Sequence, residues 1–207
     1  MSGLKTISFR LSLLAVVWLV LITSGLALVW RYEATPGRDS GPPSVWPGIS
    51  RIARATKQPK LIVFAHPKCP CTRATFAELA RIQARCADRL DIHVMFVRPS
   101  GVAAGWERTD LWKHAQSIPG AVVELDDGGV EATRFGVGTS GYSLLYGTDG
   151  RLQYAGGITA ARGHEGDNPG EDAVVSFVLT GHSEQRRMPA FGCSLLGAVN
   201  STAAVSR

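Results

Sequence analysis

The chain has 207 residues, 22 of them basic and 17 acidic, for a net charge of +5. That length holds one domain of ordinary size plus linkers. The surplus is too mild for a nucleic-acid binder, because basic residues are interspersed with acids, as at Arg81, Arg85, Asp88 and Arg89, and no basic stripe is interleaved with aromatics.

Residues 1–10 form an N-terminal segment containing Lys5 and Arg10, and residues 11–30 follow without a charge, rich in Leu and Val. Twenty helical residues cross a bilayer core, so 11–30 is expected to be a transmembrane anchor, with Trp30 and Tyr32 at interfacial positions and Arg10 and Arg31 as brackets. A cleaved signal peptide is the rival reading, with Gly25-Leu26-Ala27 as its small-residue site, but Leu28, Val29 and Trp30 prolong the apolar run past it. Basic residues flank both ends and give only a weak preference for an inside N-terminus. Residues 31–45, with Pro36, Gly37, Ser40, Gly41, Pro42 and Pro43, read as a semi-extended linker.

A domain is expected over 46–181. After a short amphipathic turn at 49–55, residues 60–65 form a buried central strand. Residues 70–86 place Phe76, Leu79, Ile82 and Cys86 on one helical face, and 91–97 alternates as a second strand ending at Arg98-Pro99. A helix over 109–117, a strand over 121–125 and a short helix over 129–135 follow, the last capped by the turn Asp126-Asp127-Gly128-Gly129. Strands 142–146 and 151–155 flank Thr148-Asp149-Gly150, a hairpin signal, and 172–179 closes the domain as a helix. The order β-α-β-α-β-α-β-β-α predicts an α/β fold with a central sheet covered by helices. Residues 182–207 read as a Ser-, Gly- and Ala-rich C-terminal tail interrupted by an apolar cluster around Cys193.

The chemistry-bearing motif is Cys69-Pro70-Cys71, between the apolar strand and a helix start. Unsatisfied amide donors and the positive end of a helix dipole favour thiolate there. A strand, a dithiol at a helix start, further α/β units and a late hairpin resemble the thioredoxin-like superfamily. The strings His66-Pro67-Lys68-Cys69-Pro70-Cys71-Thr72, Gly156-Gly157-Ile158-Thr159, Arg162-Gly163-His164-Glu165-Gly166-Asp167-Asn168 and Phe191-Gly192-Cys193 are similar to RedB-type membrane-anchored members. The resemblance implies a thioredoxin-like sheet flanked by helices and a redox-active centre in which Cys69 attacks and Cys71 resolves. The enzyme expected is a thiol-disulfide oxidoreductase with no cofactor. Its expected partners are protein thiols or disulfides and, through the N-terminal helix, the membrane. Its expected place is the bacterial inner membrane, with the domain on the periplasmic side.

Two departures from the family pattern matter. Only Pro70 separates the cysteines, so their bridge would close a tight, readily reduced loop. The family's cis-proline before the hairpin strand is replaced by Gly138-Thr139-Ser140-Gly141-Tyr142, where Ser140 or Gly141 takes its place.

His66 is expected either to lower the Cys69 pKa or to supply a proton, or else to be an exposed strand-end histidine; Lys68 and Arg73 either favour thiolate by proximity or are ordinary solvated side chains. The alternative function is a copper-binding metallochaperone-like module in which His66 or His164 joins Cys69 and Cys71. His164, Glu165 and Asp167 otherwise belong to a plain Gly-rich loop. A peroxide-reducing role lacks the Pro-x-x-x-Thr-x-x-Cys run before the helix. Cys86 and Cys193 either form a structural disulfide, worth roughly 4 to 5 kcal/mol for a loop of about a hundred residues, or Cys86 is a buried small hydrophobe. Cys193 as a resolving thiol is the outlying option.

Overall fold

The computed structural model describes residues 2–38 and 41–196. The chain divides into two compact units, one ending at Thr35 and the other beginning at Pro36.

The first unit is helix α1, Ser2–Glu33. Its stretch Phe9–Glu33 is long and apolar enough to cross a membrane; 25 residues rise about 37 Å against a hydrocarbon core of about 30 Å. The large apolar side chains from Phe9 to Trp30 stand exposed. Thr23, polar within this stretch, turns its hydroxyl back to donate to the Leu19 carbonyl at 2.9 Å, so it needs no partner from outside the helix.

The second unit contains β1 (Lys60–Ala65), α2 (Thr72–Cys86), β2 (Asp91–Arg98), α3 (Asp110–Gln116), β3 (Ala121–Asp127), α4 (Val130–Arg134), β4 (Tyr142–Tyr146), β5 (Leu152–Gly157) and α5 (Pro169–Thr180). The sheet order is β3-β2-β1-β4-β5. β2 runs parallel to both β1 and β3, whereas β4 is antiparallel to β1 and β5. The element order and hairpin are those expected from the sequence.

β1 is buried along its whole length because both faces of the sheet are covered. Successive side chains point to opposite faces. Leu61, Val63 and Ala65 join one core with Phe76, Leu79 and Ile82 of α2 and Val174 of α5, while Ile62 and Phe64 join a second with Trp46, Phe135 and Tyr146. The α2 face predicted from apolar spacing is thus the face that packs. Asp126 performs the expected capping role, its carboxylate accepting from the backbone N–H groups of Glu131 at 2.9 Å and Ala132 at 2.8 Å at the start of α4.

Two segments expected as linker and tail are corrected. Pro/Gly-rich residues before Trp46 dock on the domain: Leu152 N–H donates to Ser44 O at 2.9 Å, Gly37 N–H to Ala190 O at 2.8 Å, and the Tyr146 hydroxyl to Pro43 O at 2.9 Å. Residues 182–196 also pack against it, with Ala155 N–H donating to Arg186 O at 3.0 Å and Met188 N–H to Ala155 O at 3.2 Å. The physical reason is shared. The outer edge of β5 presents unpaired backbone groups, and Ala190, Phe191 and Leu195 are apolar side chains that become buried when this segment lies across it. The rest of the tail, 197–207, lies outside the described residues.

Candidate active site

At the end of β1 the chain makes a turn in which Cys69 N–H donates to His66 O at 3.0 Å, and Thr72 N–H then donates to Cys69 O at 3.2 Å as α2 begins. Cys71 occupies the position just before α2, already with helical backbone angles (φ −65°, ψ −27°). Cys69 is fully buried, whereas Cys71 and Cys193 are half-buried. All four cysteines are unbridged.

The loop entering β4 holds this turn in place. Ser140 Oγ accepts from His66 N–H at 2.7 Å and is hydrogen-bonded to Thr72 Oγ1 at 2.7 Å. Gly141 N–H donates to Phe64 O at 2.7 Å. At φ +85° Gly141 lies in the left-handed region, and a Cβ there would come within 2.9 Å of Thr75 Oγ1, so glycine suits both the angle and the space. The stretch 138–142 therefore connects the hairpin to the dithiol turn, through the Ser140 hydroxyl and the Gly141 amide.

Three thiols meet here. Cys193 N–H donates to Cys69 Sγ at 3.4 Å. Burial works against a Cys69 thiolate, but the Thr72 hydroxyl, the Cys193 amide and thiol, and the Thr72 amide outweigh it and leave the pKa below the ordinary cysteine value. Cys71 moves the other way, raised by burial and by the adjacent Cys69 charge, with Arg162 opposing. Cys193 is pushed up to about 12 by burial and by donating to, and lying beside, Cys69. Of the three thiols Cys69 is thus the one that ionises most readily, while Cys71 and Cys193 are shifted toward their protonated forms.

Several expected roles change on this geometry. His66 contributes its backbone to the turn, but its imidazole accepts from Lys68 N–H at 3.2 Å and stands edge-on to Trp106 at 5.2 Å, and its pKa falls through burial and then the Lys68 charge. It is not among the groups that lower the Cys69 pKa. Lys68 lies over the Trp106 ring at 4.7 Å, and Arg73 pairs with Asp110. The cation that acts on the thiols is Arg162. Its loop is anchored by Gly166 N–H donating to the buried Glu78 carboxylate at 2.8 Å and by Ala160 N–H donating to Asn168 Oδ1 at 2.6 Å.

In that loop His164, Glu165 and Asp167 are exposed. Among the described residues no group of three or more His, Cys, Asp or Glu is arranged to hold a metal ion, so the ligand set Cys69, Cys71 and His164 is not assembled. The Cys86–Cys193 pairing is corrected as well. Cys86 ends α2 and joins the core with Ile82 and Leu90, about 22 Å of helical rise from the end where Cys193 meets Cys69. A disulfide requires Cα atoms within about 7 Å. Cys86 is the buried small hydrophobe, and burial raises its pKa despite Arg85 and Arg89.

Sequence reasoning missed Thr72, Arg162 and the hydroxyl of Ser140 as functional groups. Thr72 had a local signal, a hydroxyl one residue past the dithiol at a helix start. Arg162 and Cys193 stood only in the strings that carry the RedB-type resemblance, and nothing in their spacing indicated that loop docking brings them to the dithiol.

No family model matches this chain, and no curated protein does. Among solved structures it is similar to an uncharacterised conserved protein of Geobacillus kaustophilus, at 14% identity and TM-score 0.56 over 79% of this chain and 92% of that one. A hypothetical protein of Sinorhizobium meliloti matches at 20% identity and TM-score 0.56 over 80% and 96%. A secreted Mycobacterium tuberculosis disulfide oxidoreductase homologous to E. coli DsbE aligns at 16% identity and TM-score 0.42 over 60% and 82%. At these identities the likeness speaks to the fold alone.

Proposed function

We propose that the chain, whose strand–dithiol–helix arrangement and late hairpin resemble the thioredoxin-like superfamily, is a membrane-tethered, extracytoplasmic thiol-disulfide oxidoreductase acting on protein partners through Cys69 and Cys71. The observation that carries this reading is the environment of Cys69. A Cys69 thiol whose pKa is lowered by the Thr72 hydroxyl and the Cys193 amide, beside a Cys71 thiol whose pKa is raised, is the asymmetry a nucleophile and its resolving partner need.

Cys69 Sγ attacks one sulfur of a partner disulfide, that bond breaks, and the leaving sulfur takes up a proton. A mixed disulfide then joins Cys69 to the partner. Attack on Cys69 Sγ by the second thiol releases the partner's other sulfur, so two electrons pass from the site to the partner; the reverse sequence oxidises a partner dithiol. Stabilising the Cys69 thiolate stabilises the reduced form, which raises the reduction potential and inclines the couple towards oxidising its partners. The apolar stretch Phe9–Glu33 supports the tether, and the oxidising environment in which such a couple works supports an extracytoplasmic placement.

The test is trapping. Full-length chain carrying Cys71→Ala and Cys193→Ala, with no neighbouring thiol left to resolve, should accumulate mixed disulfides between Cys69 and a disulfide-bonded protein such as insulin. Additional replacement of Cys69 should abolish them. Failure of the double variant to form any mixed disulfide counts against the reading.

A further inference from the structure

We infer that Cys193 is a third redox thiol of this site, which closes a disulfide with Cys69 as an alternative to the Cys69–Cys71 bridge. The inference rests on the reading of Cys69 as nucleophile and concerns which thiol resolves its mixed disulfides.

The geometry comes first. Residues 192–195 lie along the loop that enters β4: Ser140 N–H donates to Cys193 O at 2.8 Å, Leu195 N–H donates to Gly138 O at 2.9 Å, and Thr139 and Ser194 form an antiparallel bridge. Hydrogen bonds at Cys193 and at the two residues after it fix its backbone against the dithiol turn, with its amide 3.4 Å from Cys69 Sγ. Gly192 permits this approach, since a Cβ there would lie 2.0 Å from Ser140 O. Leu195, fully buried in the second core, anchors the far side. The approach of Cys193 to Cys69 Sγ is a product of specific pairing, not of a loose terminus.

Accessibility supplies the second argument. Cys69 is 0% exposed, and residues 192–195 adjoin it. A partner disulfide reaches Cys69 only when groups packed on it give way, and Cys193 is one of them. Once a mixed disulfide has formed, return of residues 192–195 to the 138–140 edge brings the Cys193 sulfur back to Cys69 Sγ.

Charge supplies the third. Cys193 is held protonated in part because it donates to Cys69 and lies beside its negative charge. Both influences vanish when Cys69 enters a mixed disulfide, while Arg162, which opposes them, remains. Cys193 therefore becomes easier to deprotonate at the step where a second nucleophile is needed. It loses its proton to solvent and attacks Cys69 Sγ. The Cys69–partner bond breaks, the partner leaves as a thiol, and Cys69–Cys193 is the new bridge. Cys71 can then attack Cys69 Sγ, releasing Cys193 and shifting the bridge to Cys69–Cys71 with no net change in electrons.

The test uses full-length Cys71→Ser in detergent, treated with oxidised glutathione and digested with trypsin without reduction. The expected product is residues 69–73 disulfide-linked to residues 188–207, identified by mass spectrometry and lost after reduction. The same link should form when Cys86 is also changed to Ser. In the Cys71→Ser/Cys193→Ser variant the link should give way to glutathione held on Cys69. Glutathione retained on Cys69 of Cys71→Ser, with Cys193 free, would overturn the inference while leaving Cys69 as the nucleophile. A Cys69 that fails to react even in the unsubstituted chain would overturn both, so the two failures are distinguishable. Because a serine at 71 could disturb the turn, the unsubstituted chain is sampled early in its oxidation, where the 69–73 to 188–207 link should form and its complete absence contradicts the account.

Discussion

At the scale of single residues, the lowered pKa that supports the proposed role of Cys69 comes from neighbours that the Cys69-Pro70-Cys71 string does not contain. Burial alone would suppress its thiolate; Thr72 and Cys193 reverse the sign. Thr72→Val removes one hydroxyl donor at nearly constant volume, so the pH profile of Cys69 alkylation, followed by mass spectrometry, should move to higher pH. An unchanged profile would assign the lowered pKa to other groups. The linkage to stability has a definite sign. A folded-state pKa below the unfolded one contributes stability that is fully present above the unfolded thiol value, near 8.5, and is lost as pH falls through the lowered folded value. Reduced chain should therefore gain stability across that interval relative to Cys69→Ala, measured by urea denaturation at a series of pH values. The sequence made the nucleophile legible, because a cysteine after a buried strand at a helix start has a local physical meaning. Closeness along the chain leaves two readings open for His66, Lys68 and Arg73; in the structure each of these side chains is engaged elsewhere, by Trp106 or Asp110.

At the scale of elements, apolar periodicity located β1, α2 and the β4–β5 hairpin well, since their packed faces are written in local spacing. The start of α2 falls at Thr72 and not at Pro70, because the dithiol occupies the entering turn. Leu79, fully buried between α2 and the sheet, tests the helix packing. Leu79→Ala should cost about 2–5 kcal/mol of unfolding free energy, read from denaturant melts. The segments on either side of the domain were the least legible elements. Nothing local in the tail's composition indicates pairing with the loop before β4, and only Gly192 reveals how near the two backbones lie. Gly192→Ala should displace this segment from Ser140 and raise the limiting rate of Cys69 alkylation at high pH, where loss of the Cys193 hydrogen bonds no longer limits the thiolate fraction, whereas an unchanged limiting rate would argue that residues 192–195 do not cover the thiol.

At the scale of the whole molecule, an exposed apolar helix and a globular unit built around a five-stranded sheet place different demands on the solvent. The proposed tether predicts that full-length chain stays with membranes through an alkaline wash and that deletion of residues 1–33 moves it to the soluble fraction. Soluble full-length chain would contradict the tether without touching the thiol chemistry. That chemistry is most directly tested by insulin-disulfide reduction with a dithiol donor, comparing full-length chain with its Cys69→Ala variant. The account predicts that unsubstituted chain accelerates insulin precipitation and that Cys69→Ala falls to the uncatalysed rate. Equal rates for the two, whether both accelerated or both uncatalysed, would contradict it.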